Sequence, residues 1–215
     1  MEKIIDISKA LSFINDGDTI MVGGFMANGT PTKIIDALSE SGKKDLILIS
    51  SDTAFVDKGV GKLVANKQCK KIYASHIGTN KETGRQMTEG ETEVELIPQG
   101  SLAEKIRAAG YGLGGVLTKT GLGTKVEEGK DIINIDGEDY ILEKPLFADL
   151  ALVFADTADT AGNLIYKGSA ANFNNVMAAA AKVTIAEVKN IVDPKDMNPN
   201  TVHTPGVFVN YLVRG

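Results

Sequence analysis

The sequence predicts an α/β protein with a three-layer α/β/α architecture, in which helices cover both faces of an open, mostly parallel sheet. Three observations support this prediction. Short apolar segments alternate with amphipathic helix-like segments along the 215-residue chain, which is the pattern of βαβ units. The first apolar segment ends in a glycine pair, where a ligand-contacting loop would begin. An Asp-Gly pair between alternating apolar residues predicts a small antiparallel hairpin insertion.

The predicted elements of the first half alternate regularly. Each strand is a short apolar run, and each helix carries apolar residues at helical spacing. Pro31 suits the first turn of the first helix, and Gly42 is well placed as the residue just after its end. The expected strands are 19–25, 45–52, 71–77, 93–98 and 115–119, and the expected helices are 31–41, 60–68 and 101–109.

The second half departs from this alternation at one place. Residues 132–142 alternate on both sides of Asp136-Gly137, which is a strong hairpin signal. The remaining expected elements are the strands 150–154, 183–188 and 206–213 and the alanine-rich helix 174–182. Because no low-complexity linker and no internal repeat occur, we predict one domain over residues 1–215.

Composition argues against several classes of function. The hydrophobic fraction of 43% and the charged fraction of 24% are ordinary for a globular protein, and a net charge of −5 offers no basic surface for nucleic acid. No apolar run approaches the length of a membrane span, and the segment from Met1 to Asp6 lacks the apolar core of a signal peptide. We therefore expect a cytoplasmic protein that binds neither nucleic acid nor membrane.

Motifs for other chemistries are absent or misplaced. Residues 110–115 match the dinucleotide fingerprint GxGxxG, but a helix-like segment precedes them and a strand-like segment follows, the reverse of the required order. The chain has no Walker A sequence, no Gly-x-Ser-x-Gly elbow and no metal-ligand spacing. The lone cysteine, Cys69, cannot form an internal disulfide, and a structural role is favoured for it. His76 ends a predicted strand, and a structural role is favoured for it as well.

The loop after the first strand is the most informative segment. Its three glycines would let the backbone turn sharply and lie close against a ligand, because no Cβ is in the way. In open α/β sheets, ligands bind outside the carboxyl ends of the strands, where this loop is expected. A tight βα connection without a ligand explains the glycines equally well. The candidate substrate-binding residues of the loop are Gly23, Gly24, Phe25, Met26, Ala27, Asn28 and Gly29.

Gln99 and Gly100 form a second candidate site at the end of the predicted strand 93–98. Gln99 would stand at the carboxyl end of that strand, and Ser101 could cap the helix that follows. A neutral amide at this position can donate a hydrogen bond to an acyl carbonyl or to a substrate carboxylate. A solvent-facing loop glutamine is the alternative, and the residues alone favour it.

These motifs resemble the family I, or 3-oxoacid type, coenzyme A transferases. The first signature of that family is Asp-Gly, five residues, Gly-Gly-Phe, three residues and Gly-x-Pro, which this chain shows from Asp16 to Pro31. Pro98-Gln99-Gly100 is similar to a Pro-Gln-Gly in the family's first subunits. Further segments, which resemble the alpha subunits of bacterial acetate- and butyrate-acetoacetate CoA-transferases, occur in family order at 52–57, 75–80, 82–85, 112–124 and 162–166.

The resemblance implies a division of labour between two chains. It implies that the loop from Gly23 to Gly29 forms a wall of the thioester site and that Gln99 contacts the acyl group at the reacting carbon. It also implies ping-pong chemistry, in which a glutamate of a beta subunit attacks the acyl-CoA from within a Ser-Glu-Asn-Gly tetrapeptide. Here only residues 39–42 come near that tetrapeptide, and a helix end explains them better, so Glu40 is assigned no role. No catalytic residue is expected in this chain.

The implied enzyme moves CoA between an acyl-CoA and a free short-chain carboxylate. The resemblance implies an α2β2 assembly with the beta subunit, and CoA thioester as a substrate with no metal or redox cofactor. Ser51 stands where many related enzymes have asparagine, and Ala171 where arginine is usual, which leaves the preferred acid open. Two alternatives remain: a non-catalytic acyl-CoA-binding or regulatory subunit, and a sugar-phosphate isomerase-like or deaminase-like enzyme on the same scaffold.

Overall fold

Two sheets organise the protein, whose computed structural model describes residues 3–215. The strands are β1 (Thr19–Val22), β2 (Leu46–Ser50), β3 (Cys69–Ala74), β4 (Glu93–Leu96), β5 (Val116–Thr118), β6 (Ile132–Ile135), β7 (Glu138–Glu143), β8 (Ala148–Asp159), β9 (Leu164–Ile165), β10 (Ala181–Val192) and β11 (Tyr211–Arg214). Seven of them form a parallel sheet in the order β11–β10–β8–β1–β2–β3–β4, and β9 pairs antiparallel with β8. The strands β5, β7 and β6 form a separate antiparallel sheet.

Six helices are assigned within residues 3–215. They are α1 (Ile7–Leu11), α2 (Thr32–Glu40), α3 (Gly61–Ala65), α4 (Lys81–Glu89), α5 (Gln99–Gly110) and α6 (Asn174–Ala178). Short 3₁₀ turns occur at Gly168–Ala171, Pro194–Asp196, Pro199–Thr201 and Gly206–Phe208. The longer helices are held by their apolar faces, since α2 buries Ile34, Ile35 and Leu38 against the sheet.

The direction of the strand order changes next to β1. From β1 the chain proceeds outward through β2, β3 and β4, and it later returns to the other side of β1 as β8. Val22 is in register with Ser50 on one side and with Leu152 on the other. Such a switch point opens a crevice at the carboxyl ends of the strands, where ligands bind in open α/β sheets. The loop after β1 begins at this crevice.

Apolar side chains pack on both faces of the parallel sheet. Along β1, Met21 belongs to one buried cluster and its neighbours Ile20 and Val22 to the other, as the two-residue period of a strand requires. One cluster includes Leu102 and Ile106 of α5, and the other includes the buried residues of α2 and α3. The sheet is therefore the middle of three layers, and α5 and α2 are fixed on opposite faces.

The small antiparallel sheet is anchored to α5 by a buried carboxylate. Glu143 of β7 is completely buried, and its oxygens accept hydrogen bonds from Lys105 Nζ at 2.8 Å and Lys130 Nζ at 2.6 Å. Burial alone would raise the pKa of Glu143, but the two ammonium groups outweigh it and hold the pKa below its usual value. This ion pair fixes β7 against the helix that carries Gln99.

The predicted fold class is confirmed, and so is the hairpin. Asp136 and Gly137 both have positive φ, at +52° and +84°, between β6 and β7, as a type I′ turn requires. Gly42 has φ of +74° directly after Ser41, the last residue of the α2 cap, in agreement with its predicted place. Residues 110–115 run from the last residue of α5 to the residue before β5, so the helix-before-strand order that argued against a dinucleotide site is confirmed.

Several element predictions were wrong in the last third. The predicted helix 174–182 ends at Ala178, because Ala181 already pairs with Ala148 of β8 as the first residue of β10. The predicted strand 206–213 starts as a 3₁₀ turn, and only its end belongs to β11. Strands β8 and β10 are twelve residues each, longer than predicted, because they pair with each other along almost their whole length.

Helix α5 begins two residues earlier than predicted. Pro98 takes the N-cap position, so Gln99 and Gly100 belong to the first helical turn instead of a preceding loop. The expected capping role of Ser101 is therefore wrong. Ser101 is 5% exposed, and its buried hydroxyl makes no hydrogen bond with any described residue. Gln99 is consequently held by a helix, which fixes its direction better than a loop would.

Candidate active site

The loop after β1 makes a tight reverse turn. Phe25 N donates to Asn28 O at 3.0 Å, and Asn28 N donates to Phe25 O at 2.9 Å. The two residues between them, Met26 and Ala27, have φ of +49° and +65°. The left-handed region is unfavourable for side chains with a Cβ, at about 1–2 kcal/mol per residue, so surrounding contacts must hold this turn.

Asp52 supplies one of those contacts. Its Oδ2 accepts a hydrogen bond from Met26 N at 2.7 Å, and its Oδ1 accepts one from Ala54 N at 2.6 Å. Asp52 is 3% exposed and follows β2, the neighbour of β1 in the sheet. One buried carboxylate therefore ties the turn after β1 to the loop after β2.

The glycines of the loop make room for other parts of the protein. A Cβ on Gly23 would collide with the side chain of Asn174, and one on Gly24 would collide with the Thr30 hydroxyl. A Cβ on Gly29, which has φ of +73°, would lie 2.8 Å from the backbone Cα of Ala170. Gly23 and Gly29 permit close packing of the loop against residues 168–174, and Gly24 permits it against Thr30. This structural reason holds with or without a ligand.

Two asparagines fasten the loop to this packing segment. Asn172 Oδ1 accepts from Gly24 N at 3.1 Å, and its Nδ2 donates to Asn28 O at 3.2 Å. Asn174 Nδ2 donates to Gly29 O at 2.9 Å, and Asn174 is completely buried. Residues some 145 positions apart in sequence thus fix the backbone of the predicted substrate-binding loop.

A cavity of about 400 Å³ lies beside this loop. It brings together Phe25 of the loop and Gln99 of α5, the two predicted site residues that line it. Phe25 is 41% exposed, an unusual degree for a phenylalanine next to a buried strand. The other lining residues are Ser51, Ala103, Arg107, Ser169, Asn172, Phe173, Asn175 and Val176. A mixed apolar and polar cavity at a sheet switch point is typical of a small-molecule site.

The other predicted site residues lie outside this lining. Gly23, Gly24 and Gly29 form the base of the loop behind Phe25, and Met26, Ala27 and Asn28 form its tip. Gly100 borders a neighbouring cavity of about 410 Å³ between α5 and β5. Their contact with substrate remains a prediction.

Ser51 is a polar group of the cavity without a partner. The residue is completely buried, and its hydroxyl makes no hydrogen bond with any of residues 3–215. Leaving a buried hydroxyl unpaired costs free energy, but the hydroxyls of Thr53, Thr83 and Ser101 share this condition, so it does not by itself mark a ligand site. Ser51 was noted in the sequence only for its departure from asparagine, and its position in the cavity was not predicted.

Arg107, Ser169 and Asn175 were also missed as cavity residues. The signal for Arg107 was present, because positions 99, 103 and 107 of a helix follow one another on one face at a spacing of four. Ser169 and Asn175 gave no such signal, since they reach the cavity only through the return of the chain beside β1.

Three other residues lie away from the cavity. Cys69 begins β3, at the end of that strand away from the cavity, and burial raises the pKa of its thiol to about 12, which agrees with a structural role. Glu40 is the last residue of α2, which agrees with the interpretation of residues 39–42 as a helix end. His76 follows β3 but does not line the cavity.

The described residues contain no group of three or more His, Cys, Asp or Glu side chains placed to hold a metal ion. No helix within residues 3–215 combines the length and apolar character needed to cross a membrane.

Comparison with known proteins agrees with the geometry. The family model of coenzyme A transferase matches residues 4–215. The chain is 51% identical to the acetate CoA-transferase subunit alpha of Escherichia coli, over 98% of this chain and 96% of the relative. It is 52% identical to the acetoacetyl-CoA:acetate/butyrate CoA transferase alpha subunit of Clostridium acetobutylicum, over 99% of this chain and 97% of the relative.

Solved structures share the fold at lower identity. The acyl-CoA transferase YdiF of Escherichia coli superposes with a TM-score of 0.87 at 21% identity, and the match covers all of this chain but only 47% of that one. Glutaconate coenzyme A-transferase from Acidaminococcus fermentans also gives a TM-score of 0.87, at 20% identity, over 99% of this chain and 75% of that one. With the family model spanning nearly the whole sequence, this chain belongs to the coenzyme A transferase family.

Proposed function

We propose that this chain is the alpha subunit of a short-chain acyl-CoA:acetoacetate CoA-transferase, which moves CoA between an acyl-CoA and a free short-chain carboxylate. The names of the two relatives that are 51% and 52% identical support acetate, butyrate and acetoacetate as the acids. The predicted single domain over 1–215, of which Met1 and Glu2 lie outside the described residues, and the cytoplasmic location belong to the same proposal.

The chemistry of the cavity supports this function best. Gln99 offers a hydrogen-bond donor beside the apolar ring of Phe25, but no carboxylate lines the cavity among the described residues. An acyl group can therefore be held and polarised here, and we assign the nucleophile to another chain. A beta subunit that supplies a glutamate fulfils that requirement, and an α2β2 assembly is the form we propose.

The proposed reaction proceeds in two half-reactions. The glutamate carboxylate of the beta subunit attacks the thioester carbonyl carbon, the carbon–sulfur bond breaks, and CoA leaves as a thiolate, giving an acyl-glutamyl anhydride. The thiolate then attacks the glutamyl carbonyl, releasing the first acid and forming a glutamyl-CoA thioester. The second carboxylate repeats the two steps in reverse order and takes the CoA. Covalent catalysis by a carboxylate divides the exchange into easier steps.

In this reaction, the role of this chain is to bind and polarise the acyl group. The side-chain amide of Gln99 makes no hydrogen bond with any described residue, so its Nε2 is free to donate to the carbonyl oxygen on which negative charge develops. Phe25 provides apolar contact for the acyl chain or the thioester. CoA enters as a substrate, and the proposal includes no metal or redox cofactor.

Mixing experiments test the proposal. The chain and a beta subunit carrying Ser-Glu-Asn-Gly should each be inactive alone and together transfer CoA from acetoacetyl-CoA to acetate or butyrate. Replacing Gln99 by Ala in the complex should lower kcat by about 100-fold, the usual effect of losing one oxyanion donor. Full activity of this chain alone would contradict the proposal. Tight binding of CoA thioesters without the beta subunit, and no transfer with it, would indicate the binding-subunit alternative instead.

A further inference from the structure

One face of the small antiparallel sheet is apolar and exposed. Residues directly opposite each other on paired antiparallel strands share a face, and so do residues two apart on one strand. Leu117 is opposite Leu142, and Ile133 is opposite Tyr140. With Ile135, two residues after Ile133, these side chains form what we call the outer face of the sheet. Leu117, Ile133 and Ile135 are 39%, 38% and 43% exposed.

The other face of this sheet is directed at the protein. Ile141 and Glu143 of β7 are completely buried, and Glu143 is held by the ammonium groups of Lys105 and Lys130. An antiparallel sheet with one buried face commonly presents polar residues on the face that meets water. Here the outer face is mainly apolar instead, which is typical of a surface that a partner covers.

The charged side chains that border the outer face are paired with one another. Lys119 forms an ion pair with Glu138, and Lys144 forms one with Asp131. The outer face therefore offers apolar area with no net charge of its own. Interface cores are depleted of charged residues in the same way. The partner that fits this face has an apolar contact surface, rather than a strongly acidic or basic one.

The outer face adjoins the candidate active site. Leu117 lines the cavity of about 410 Å³ between α5 and β5, and Gly100 of α5 lines the same cavity. The preceding residue, Gln99, lines the cavity to which we assign the acyl group. The first turn of α5 therefore separates the two cavities, and a chain seated on the outer face has this turn as its neighbour.

We propose that the outer face is a docking surface for the beta subunit. This inference rests on the proposed function, which requires another chain to bring a glutamate to Gln99. A second copy of this chain on the same surface would occupy that approach without supplying the glutamate. A stable interface buries about 800 Å² on each partner, more than five partly exposed side chains offer. The contact therefore extends beyond the sheet, in the direction of the acyl cavity.

Two neighbouring isoleucines of β6 provide a matched pair of variants. Ile132 and Ile133 are 39% and 38% exposed but lie on opposite faces, since Ile132 is opposite the buried Ile141. The complex of both chains is co-expressed and purified as wild type, Ile133→Asp and Ile132→Asp. Each complex is then diluted stepwise, and sedimentation velocity records the masses of the species present.

Ile133→Asp should raise the dissociation constant between the alpha and beta subunits by about 100-fold or more. The physical reason is that docking would bury the new carboxylate in an apolar contact without a partner. Ile132→Asp, on the opposite face, should raise it by less than about threefold. At saturating concentrations of the beta subunit, the Ile133→Asp complex should recover the wild-type kcat, because Ile133 has no contact with the acyl cavity.

A second variant separates docking from folding. Leu117→Asp places a carboxylate on the same face but on β5, so it should weaken assembly as Ile133→Asp does. Thermal unfolding of each complex shows whether the variant has folded, and Leu117→Asp decides the question if Ile133→Asp has not.

Three results would overturn the docking surface. They are an Ile133→Asp complex as resistant to dilution as the wild type, an equal weakening by Ile132→Asp, and dissociation of the variant into active pairs of one alpha and one beta subunit. The last result would show that a second copy of this chain covers the outer face. A wild-type complex that assembles but transfers no CoA would overturn the proposed function alone, and two wild-type chains that do not assemble would overturn both.

Discussion

The loops that follow β1 and β2 leave adjacent parallel strands at the same edge of the sheet, and both make a two-residue reverse turn. In the first loop Phe25 forms an antiparallel bridge with Asn28, and in the second Phe55 forms one with Lys58. A glycine of positive φ follows each turn, Gly29 at +73° and Gly59 at +52°. The same connection is therefore built twice, side by side.

The two turns differ in backbone strain and in the exposure of the phenylalanine that begins each of them. Met26 and Ala27 of the first turn both have positive φ, whereas Val56 and Asp57 of the second do not. Phe25 is 41% exposed and lines the cavity, while Phe55 is half-buried, with Lys58 Nζ 6.0 Å from the centre of its ring. The first loop holds two non-glycine residues at positive φ, whereas the second holds one, Ala54 at +50°, before its turn. The larger share of backbone strain therefore lies in the loop that borders the cavity, as is common where a structure holds a functional side chain in place.

The largest effect is expected from removing the carboxylate that joins the two loops. Asp52→Ala leaves the part-buried N–H of Met26 and the buried N–H of Ala54 without acceptors, so the free energy of unfolding should fall by about 3–5 kcal/mol. Asp57→Ala, at the exposed tip of the second turn, is the matched control and should change the free energy of unfolding by less than about 0.5 kcal/mol. Urea unfolding measures both, and equal small effects would show that Asp52 does not hold the strained turn.

The equivalent glycines should respond unequally to the same substitution. Gly29→Ala adds a Cβ at positive φ that meets the backbone Cα of Ala170 at 2.8 Å, so we expect a loss of about 2–4 kcal/mol. The nearest neighbour of a Cβ on Gly59 is the Cβ of Ala27 at 3.3 Å, which leaves mainly the conformational cost of about 1–2 kcal/mol.

Thermal or urea unfolding of the two variants decides the comparison. A Gly59→Ala variant less stable than Gly29→Ala would show that the second loop is the more tightly constrained of the two. The order of the two losses is the decisive observation, because both variants carry the same added methyl group.

The difference between local signals and contacts of distant segments explains which parts of the site were predictable. The β1 loop was proposed from local signals, an apolar run followed by glycines, whereas Gln99 was favoured only through the resemblance of Pro98-Gln99-Gly100 to a family motif. Asn172 and Asn174, which fasten the loop, and Ser51, which lines the cavity, were not predicted, because only the packing of distant segments brings them together. Local sequence patterns carry no information about such partners.

Helix α4 was not predicted from the sequence, for a different reason. Its residues are almost all polar, so no apolar stripe marks Lys81–Glu89 as a helix. It is stabilised instead by Asn80, whose side chain accepts from Glu82 N and Thr83 N at the N-cap, and by the carboxylates around Arg85. Capping and ion pairs are weaker signals than periodicity, and here they act together.

The smallest effects are expected from replacing the two phenylalanines, one of which should affect substrate binding and the other stability. Phe25→Ala should leave stability nearly unchanged because the ring is partly exposed, but it should raise KM for the acyl-CoA in the complex by about 3- to 10-fold through the lost aromatic contact. Phe55→Ala should lower the free energy of unfolding by about 1–2 kcal/mol, because part of its ring is buried, and leave KM unchanged. Steady-state kinetics and urea unfolding of both variants give the four values needed. If Phe55→Ala raised KM as much as Phe25→Ala, both loops would contribute to the substrate site. The greater backbone strain of the first loop would then not be linked to substrate binding.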